Sequence, residues 1–189
     1  MLRVVAKAVL WLLGWRLVGE IPAHRRAVVI GYPHTSNFDF PMMLLLSWAL
    51  DSRFHWVGKV ELFEGPLGWL FRALNGIPIH RNSRTDTTTQ LARRFEQDQE
   101  LLLAIAPSGT RKAGRHWRSG FYHIAVAAKV PILVGFIDFG SRTGGIACTI
   151  EPCGDILADM DRIRDALDHV RGYRPEKQIP IRLREEVEE

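Results

Sequence analysis

The chain has 189 residues, 47% apolar and 24% charged, with a formal net charge of +4 at pH 7. That balance excludes a disordered chain and fits one domain with a buried core, the length being short for two. The mild positive excess suits an anionic membrane surface or a phosphorylated substrate and does not call for nucleic acid. Cys148 and Cys153 lie too close together to staple a fold and are too few for a zinc site, so a reduced, cytoplasmic setting is expected.

In chain order, residues 1–20, "MLRVVAKAVLWLLGWRLVGE", come first. Their longest uninterrupted apolar piece is Ala8–Trp15, far short of the roughly 20 residues a spanning helix needs. No small-residue cleavage site follows it, which argues against a secretory signal. At helical spacing Arg3, Lys7 and Gly14 share one stripe, with Val, Leu and Trp over the remainder. The expectation is an amphipathic helix over residues 1–20, either packed on the core or lying in a membrane interface with Trp11 and Trp15 at headgroup depth. Residues 21–189 then form the second unit, one α/β domain.

Strands are expected at Ala27–Tyr32, Arg53–Gly58, Gly76–Arg81, Glu100–Pro107, Ile132–Asp138 and, antiparallel or at an edge, Ile146–Glu151. Helices are expected at Phe38–Leu50, in two pieces over Val60–Leu74, and at Asp86–Gln99, His116–Ala128 and Leu157–Val170, with a solvated tail "RLREEVEE" at the end. Alternating strands and helices give an α/β fold with a central mixed, largely parallel sheet flanked by helices. In such sheets ligands gather where strands hand over to helices at their carboxyl ends. "YPHTSNFD", "HRNSR" and "PSGTRK" all stand at such handovers.

The first of these carries His34 and Asp39, five positions apart. With the histidine in the loop and the aspartate in the first helical turn, the two side chains converge. Ser36 or Asn37 is the expected helix N-cap. Spacing alone leaves two readings: loop hydrogen bonding with capping, or a base and the group that orients it. No G-x-S-x-G elbow occurs, so a nucleophile would have to come from a substrate.

Four ordered blocks decide between the readings. "HTSNFD", "GKVELFEGPLGWLFRALNGIPIHR", "PSGTRKAG" and "KVPILVGFID" resemble the glycerolipid acyltransferase family, the 1-acylglycerol-3-phosphate acyltransferase type, over roughly Val28–Asp138. The resemblance implies a glycerol-3-phosphate acyltransferase-like fold and an HX4D motif. It implies transfer of a fatty acyl group from an acyl-CoA or acyl carrier protein thioester to a hydroxyl of a lysophospholipid or related lipid. In that reading His34 is the general base and Asp39 its orienting carboxylate. Arg81 and Arg111 hold a phosphate or polar head, with Lys59, Ser108, Gly109, Thr110 and Pro131 as further substrate-binding residues. Arg84, Lys112, Arg115 and Arg118 add positive charge for phosphates or a lipid surface. No cofactor and no metal are expected. The protein is expected on the inner face of the cell membrane, as a peripheral protein.

Ser108 departs from the family, which has glutamate there, so lysophosphatidate is less firmly implied than acyl transfer itself. Met42, Met43 and Trp48 are expected mainly as core filling, with some of that face lining an acyl-chain groove together with Trp69, Phe71, Val134 and Phe136. His55, His80, His116, His123 and His169 are expected to be structural or exposed. Two alternatives stand beside acyl transfer: a thioester hydrolase that uses water at the same pair, and a lipid-binding module without activity.

Overall fold

The computed structural model describes residues 1–23, 25–79 and 84–186, with backbone only for residues 84–86. Helices α1 (Leu2–Leu12), α2 (Asp39–Ala49), α3 (Val60–Glu64), α4 (Gly68–Ala73), α5 (Arg84–Gln97), α6 (Gly120–Ala128) and α7 (Ile156–Leu167) alternate with strands. The strands are β1 (Arg16–Val18), β2 (Ala27–Tyr32), β3 (Phe54–Lys59), β4 (Gly76–Ile79), β5 (Leu102–Ile105), β6 (Ile132–Asp138) and β7 (Thr143–Ile150). They form one sheet in the order β1-β7-β6-β2-β5-β3-β4. From β6 to β4 every pairing is parallel, while β7 runs antiparallel to β6. The expected mixed, largely parallel sheet is therefore the one observed.

Strand alternation divides the core. Val28, Ile30 and Tyr32 of β2, with Leu103 and Val134 of its neighbours, face α5, α6 and α7, where Phe95, Phe121, Met160 and Ile163 pack on them. On the other face Ala27, Val29, Ala104 and Leu133 lie towards α2, whose outer side carries α1 against Met42, Leu46 and Ala49. On the second face, large side chains such as Phe54, Leu102 and Leu133 give way to the small Ala104. Gly31 and Gly135 continue the second face, and a Cβ placed on Gly31 would meet nothing nearer than the Ile105 carbonyl oxygen at 3.9 Å. α2 consequently rides over a space instead of sealing it.

The chain leaves β2 for α2 on one face and leaves β5, its neighbour, for α6 on the other. That reversal opens a crevice at the carboxyl ends of β2 and β5, the usual ligand position in an open α/β sheet.

Four expectations change. The helix expected over residues 1–20 ends at Leu12, because Gly14 adopts a left-handed φ of +73° and Arg16–Val18 then pairs with Thr143–Gly145 as an edge strand. The helix expected from His116 starts at Gly120. Before it, Trp117 N–H donates to the Arg182 carbonyl and Arg118 N–H to that of Pro107, so this backbone is committed to loop pairing. The tail expected to be solvated is docked as far as Glu186: Leu183 is buried, bridges to Trp117, and Glu186 pairs with Arg164. Finally, β7 begins three residues before the strand expected at Ile146.

Candidate active site

His34 stands in the loop after β2 and Asp39 is the first residue of α2. Asp39 shapes the loop. Its Oδ2 accepts hydrogen bonds from Thr35 N–H at 2.7 Å and Ser36 N–H at 2.8 Å, folding the intervening backbone round the carboxylate. The N-cap position belongs to Phe38, not to Ser36 or Asn37; the Ser36 hydroxyl accepts from Phe38 N–H. His34 Nδ1 lies 3.7 Å from the same Oδ2, near enough for charge to be felt and too far for a hydrogen bond. Asp39 Oδ1 is buried without a hydrogen-bond partner among the described residues.

The carboxyl-terminal segment holds this loop from outside. Gln178 Nε2 donates to the Tyr32 hydroxyl at 2.7 Å, and Arg174 N–H donates to Thr35 Oγ1 at 3.3 Å. Gly172 sits so close that a Cβ there would lie 2.9 Å from both Pro33 and Thr35. None of this was expected from sequence.

Beside the pair, the turn after β5 brings Gly109, Thr110, Arg111 and Lys112 to the same cavity, and Lys59 reaches it from the end of β3. Gly109 takes a left-handed φ of +64°, and its missing side chain leaves room for the Arg118 guanidinium. Ser108 is not at the cavity; its hydroxyl donates to the Thr110 carbonyl. Pro131 lies at the opposite end of the sheet, where its carbonyl accepts from Val28 N–H. Arg81 and His80 lie outside the described residues.

The cavity encloses about 500 Å³ between α2 and the sheet. Its mouth is polar: His34, Asp39, Lys59, Arg111 and Lys112. Its depth is apolar, walled by Phe40, Met43, Leu46 and Leu50 from α2 and by Phe54 and Trp56 from β3. Gly31, Ala104 and Gly135 supply the floor. Of the residues expected along the acyl chain, Met43 and Phe136 line it. Trp69 is exposed, Val134 is buried on the other face, and Phe71 packs on Trp56 and Phe63. Met42 and Trp48 pack towards α1.

Burial, and secondarily the positive charge of Arg111, lowers the His34 pKa to about 4. Burial raises that of Asp39, against the two backbone donors and Arg111. The imidazole is therefore neutral at pH 7, with its Nε2 turned away from the carboxylate. An NMR titration of the His34 ring is expected to show its midpoint near 4. In Arg111→Gln the midpoint should rise part of the way towards 6.5, because a repelling cation is gone while burial remains. A native midpoint at 6.5 would contradict the burial. The unfolded ring binds its proton near 6.5 and the folded ring only near 4. Stability is thus lost as pH falls through that window, by up to roughly 3 kcal/mol from this group.

Comparison with known proteins agrees with this architecture. The sequence model of the acyltransferase family matches residues 16–135. The 1-acyl-sn-glycerol-3-phosphate acyltransferase of Escherichia coli (strain K12) is 27% identical over 76% of this chain. This chain spans 64% of that relative's length. Among solved structures, the 1-acyl-sn-glycerophosphate acyltransferase PlsC from Thermotoga maritima superposes with a TM-score of 0.61, covering 89% of this chain and 75% of that one. At 19% identity that likeness speaks for the fold. With more than half of its length matched by the family model, this chain belongs to the acyltransferase family, and its likeness within it is to the glycerolipid acyltransferases.

Proposed function

We propose that the protein is an O-acyltransferase that moves a fatty acyl group from an acyl-CoA or acyl carrier protein thioester to a hydroxyl of a lysophospholipid or related polar lipid. The observation that carries this reading is a neutral imidazole at the polar rim of a deep apolar cavity. A base that must accept a proton has to be unprotonated at rest, and His34 is. A fatty chain needs a water-poor slot of a few hundred cubic ångströms, and the space under α2 has that size and lining.

His34 Nε2 takes the acceptor's hydroxyl proton as the oxygen bonds to the thioester carbonyl carbon. The C–S bond then breaks, and the imidazolium returns its proton to the departing sulfur. Asp39 faces the imidazolium that exists between these two transfers. Arg111 and Lys112, with Lys59 across the mouth, meet the phosphates of donor or acceptor; arginine offers paired donors to two phosphate oxygens at once. Arg81, outside the described residues, is proposed to join them. Thr110 and Gly109 bring loop edge to the same place. Among the described residues Asp39 is the one acidic side chain at the cavity; Ser108 stands where the family has glutamate and turns its hydroxyl into its own loop. Acceptors with an anionic, amine-free head fit this rim best.

No helix among the described residues is long and apolar enough to cross a membrane. α1 exposes Leu2, Val4, Val5, Trp11 and Leu12, which supports a peripheral seat on a membrane; the inner face of the cell membrane is the proposed one.

The test is thioester consumption by the purified protein with and without a panel of lysolipids differing in headgroup. Consumption that depends on a lysolipid, with the acylated lipid as product, is the expected result. Turnover at the same rate without any acceptor would make the protein a hydrolase. Vesicle binding with no turnover would make it a lipid-binding module.

A further inference from the structure

Four aromatic side chains from four separate segments form a continuous surface strip beside the His34 loop. Trp15, from the turn between α1 and β1, meets Phe139, just past β6, edge-on with ring centroids 5.2 Å apart. Phe139 meets Tyr173 of the carboxyl-terminal segment at 5.3 Å, and Tyr173 meets Phe38 at 5.0 Å. Phe38 immediately precedes Asp39. Trp15 and Phe139 are half-buried and rest on the α1–α2 core cluster, whereas the other two rings are open to solvent: Phe38 is 57% exposed and Tyr173 48%. At its other end the strip runs into α1, where Trp11 is 77% exposed.

Exposed arginines flank the strip. Arg16 and Arg142 are neighbours through an Arg16 N–H to Arg142 carbonyl hydrogen bond, and Arg171 and Arg174 bracket Tyr173. None of the four has an acidic partner within ion-pair distance among the described residues. Asp138, whose carboxylate accepts from Arg171 N–H, is buried and also accepts from Gly140 N–H and Ser141 Oγ.

We propose that the strip Trp15–Phe139–Tyr173–Phe38 is the edge by which the protein enters an anionic phospholipid bilayer, so that the His34 loop itself lies at the lipid headgroups. This rests on the peripheral-membrane reading above and says which face meets the lipid. Aromatic rings settle at the depth where hydrocarbon gives way to headgroups, and arginines beside them pair with lipid phosphates. Trp15 stands three residues past the end of α1, the helix that exposes Trp11 and Leu12, and the four cations without an acidic partner among the described residues favour a negatively charged bilayer over a protein partner. The consequence is functional: the cavity mouth opens where a lysolipid's hydroxyl resides, and the acceptor reaches His34 without leaving the membrane.

Sedimentation of the full chain with phosphatidylcholine vesicles, with and without phosphatidylglycerol, tests this. The native protein is expected to sediment with the phosphatidylglycerol vesicles. Phe38→Ser/Tyr173→Ser, checked for a native melting temperature, is expected to partition about tenfold to a hundredfold less. Arg171→Gln/Arg174→Gln, which touches no buried group, should lose about fivefold per arginine, on the phosphatidylglycerol vesicles alone. Should both pairs of substitutions leave sedimentation as it was, the strip is overturned while the peripheral reading stands. Should the native protein ignore both kinds of vesicle, the peripheral reading falls and the strip with it. A vesicle-free dimer that Phe38→Ser/Tyr173→Ser breaks would assign the strip to a second copy of the chain and overturn the bilayer.

Discussion

Replacing His34 by alanine is expected to lower acyl transfer by about 10²–10⁴, the usual contribution of an aligned base, with the melting temperature close to native. The two halves of that expectation have separate causes. The rate should fall because Nε2 is the proposed proton acceptor at the cavity rim. The fold persists because the loop is framed by other groups: the Asp39 carboxylate on the inside, and Gln178, Gly172 and the Arg174 backbone on the outside. Among the described residues no hydrogen bond of the His34 ring takes part in that frame. Thioester consumption at saturating acceptor, set beside a thermal melt, checks both halves. A folded His34→Ala protein with native turnover would remove the base from the mechanism, and another group at the rim would have to replace it.

The parts of this protein that were legible in its sequence are those written locally. β-branched runs such as "AVVIGY" and "ILVGFID" give buried parallel strands, and the alternation of strands with helices gives the layers. The convergence of His34 and Asp39 follows from placing one before a helix and one in its first turn, which is where they are. What was not legible depends on partners distant in sequence. Gln178 meets Tyr32 across 146 positions, and nothing in "EKQIP" announces it. Leu183, in a charged tail, is buried because Trp117 offers it a surface that only the tertiary fold creates.

The cavity is an intermediate case. Gly31 and Gly135 interrupt two otherwise bulky strands, and a glycine in a strand signals either a bulge or a close approach by something else. Here Gly31 leaves open space at the cavity floor, and Gly135 marks a register shift where a Cβ would lie 2.7 Å from the Ile30 carbonyl oxygen. Trp69, Phe71 and Val134 turned out to be surface or core, since a slot is defined by side chains that are missing more than by those that are large. The small residues of β2, β5 and β6 share one face by strand alternation, which is why their effects add up to a single volume.

Asp39→Ala is expected to cost about 2–6 kcal/mol of stability, because Thr35 N–H and Ser36 N–H would lose their acceptor in a buried loop and each unsatisfied donor costs about 1–3 kcal/mol. Asp39→Asn separates that structural duty from an electrostatic one. Its amide oxygen can accept from both N–H groups, so the melting temperature should return most of the way to native. The negative charge does not return. At 3.7 Å the carboxylate makes no hydrogen bond to His34, and its influence on the imidazolium is that of one charge on another. At an effective dielectric of about 20 such a pair at this separation is worth about 4 kcal/mol. Turnover of a well-folded Asp39→Asn protein is therefore expected to stay down by about a hundredfold to a thousandfold. A melt and a rate measured on the same preparation decide the matter. Recovery of both would make Asp39 a frame for the loop and leave His34 working alone.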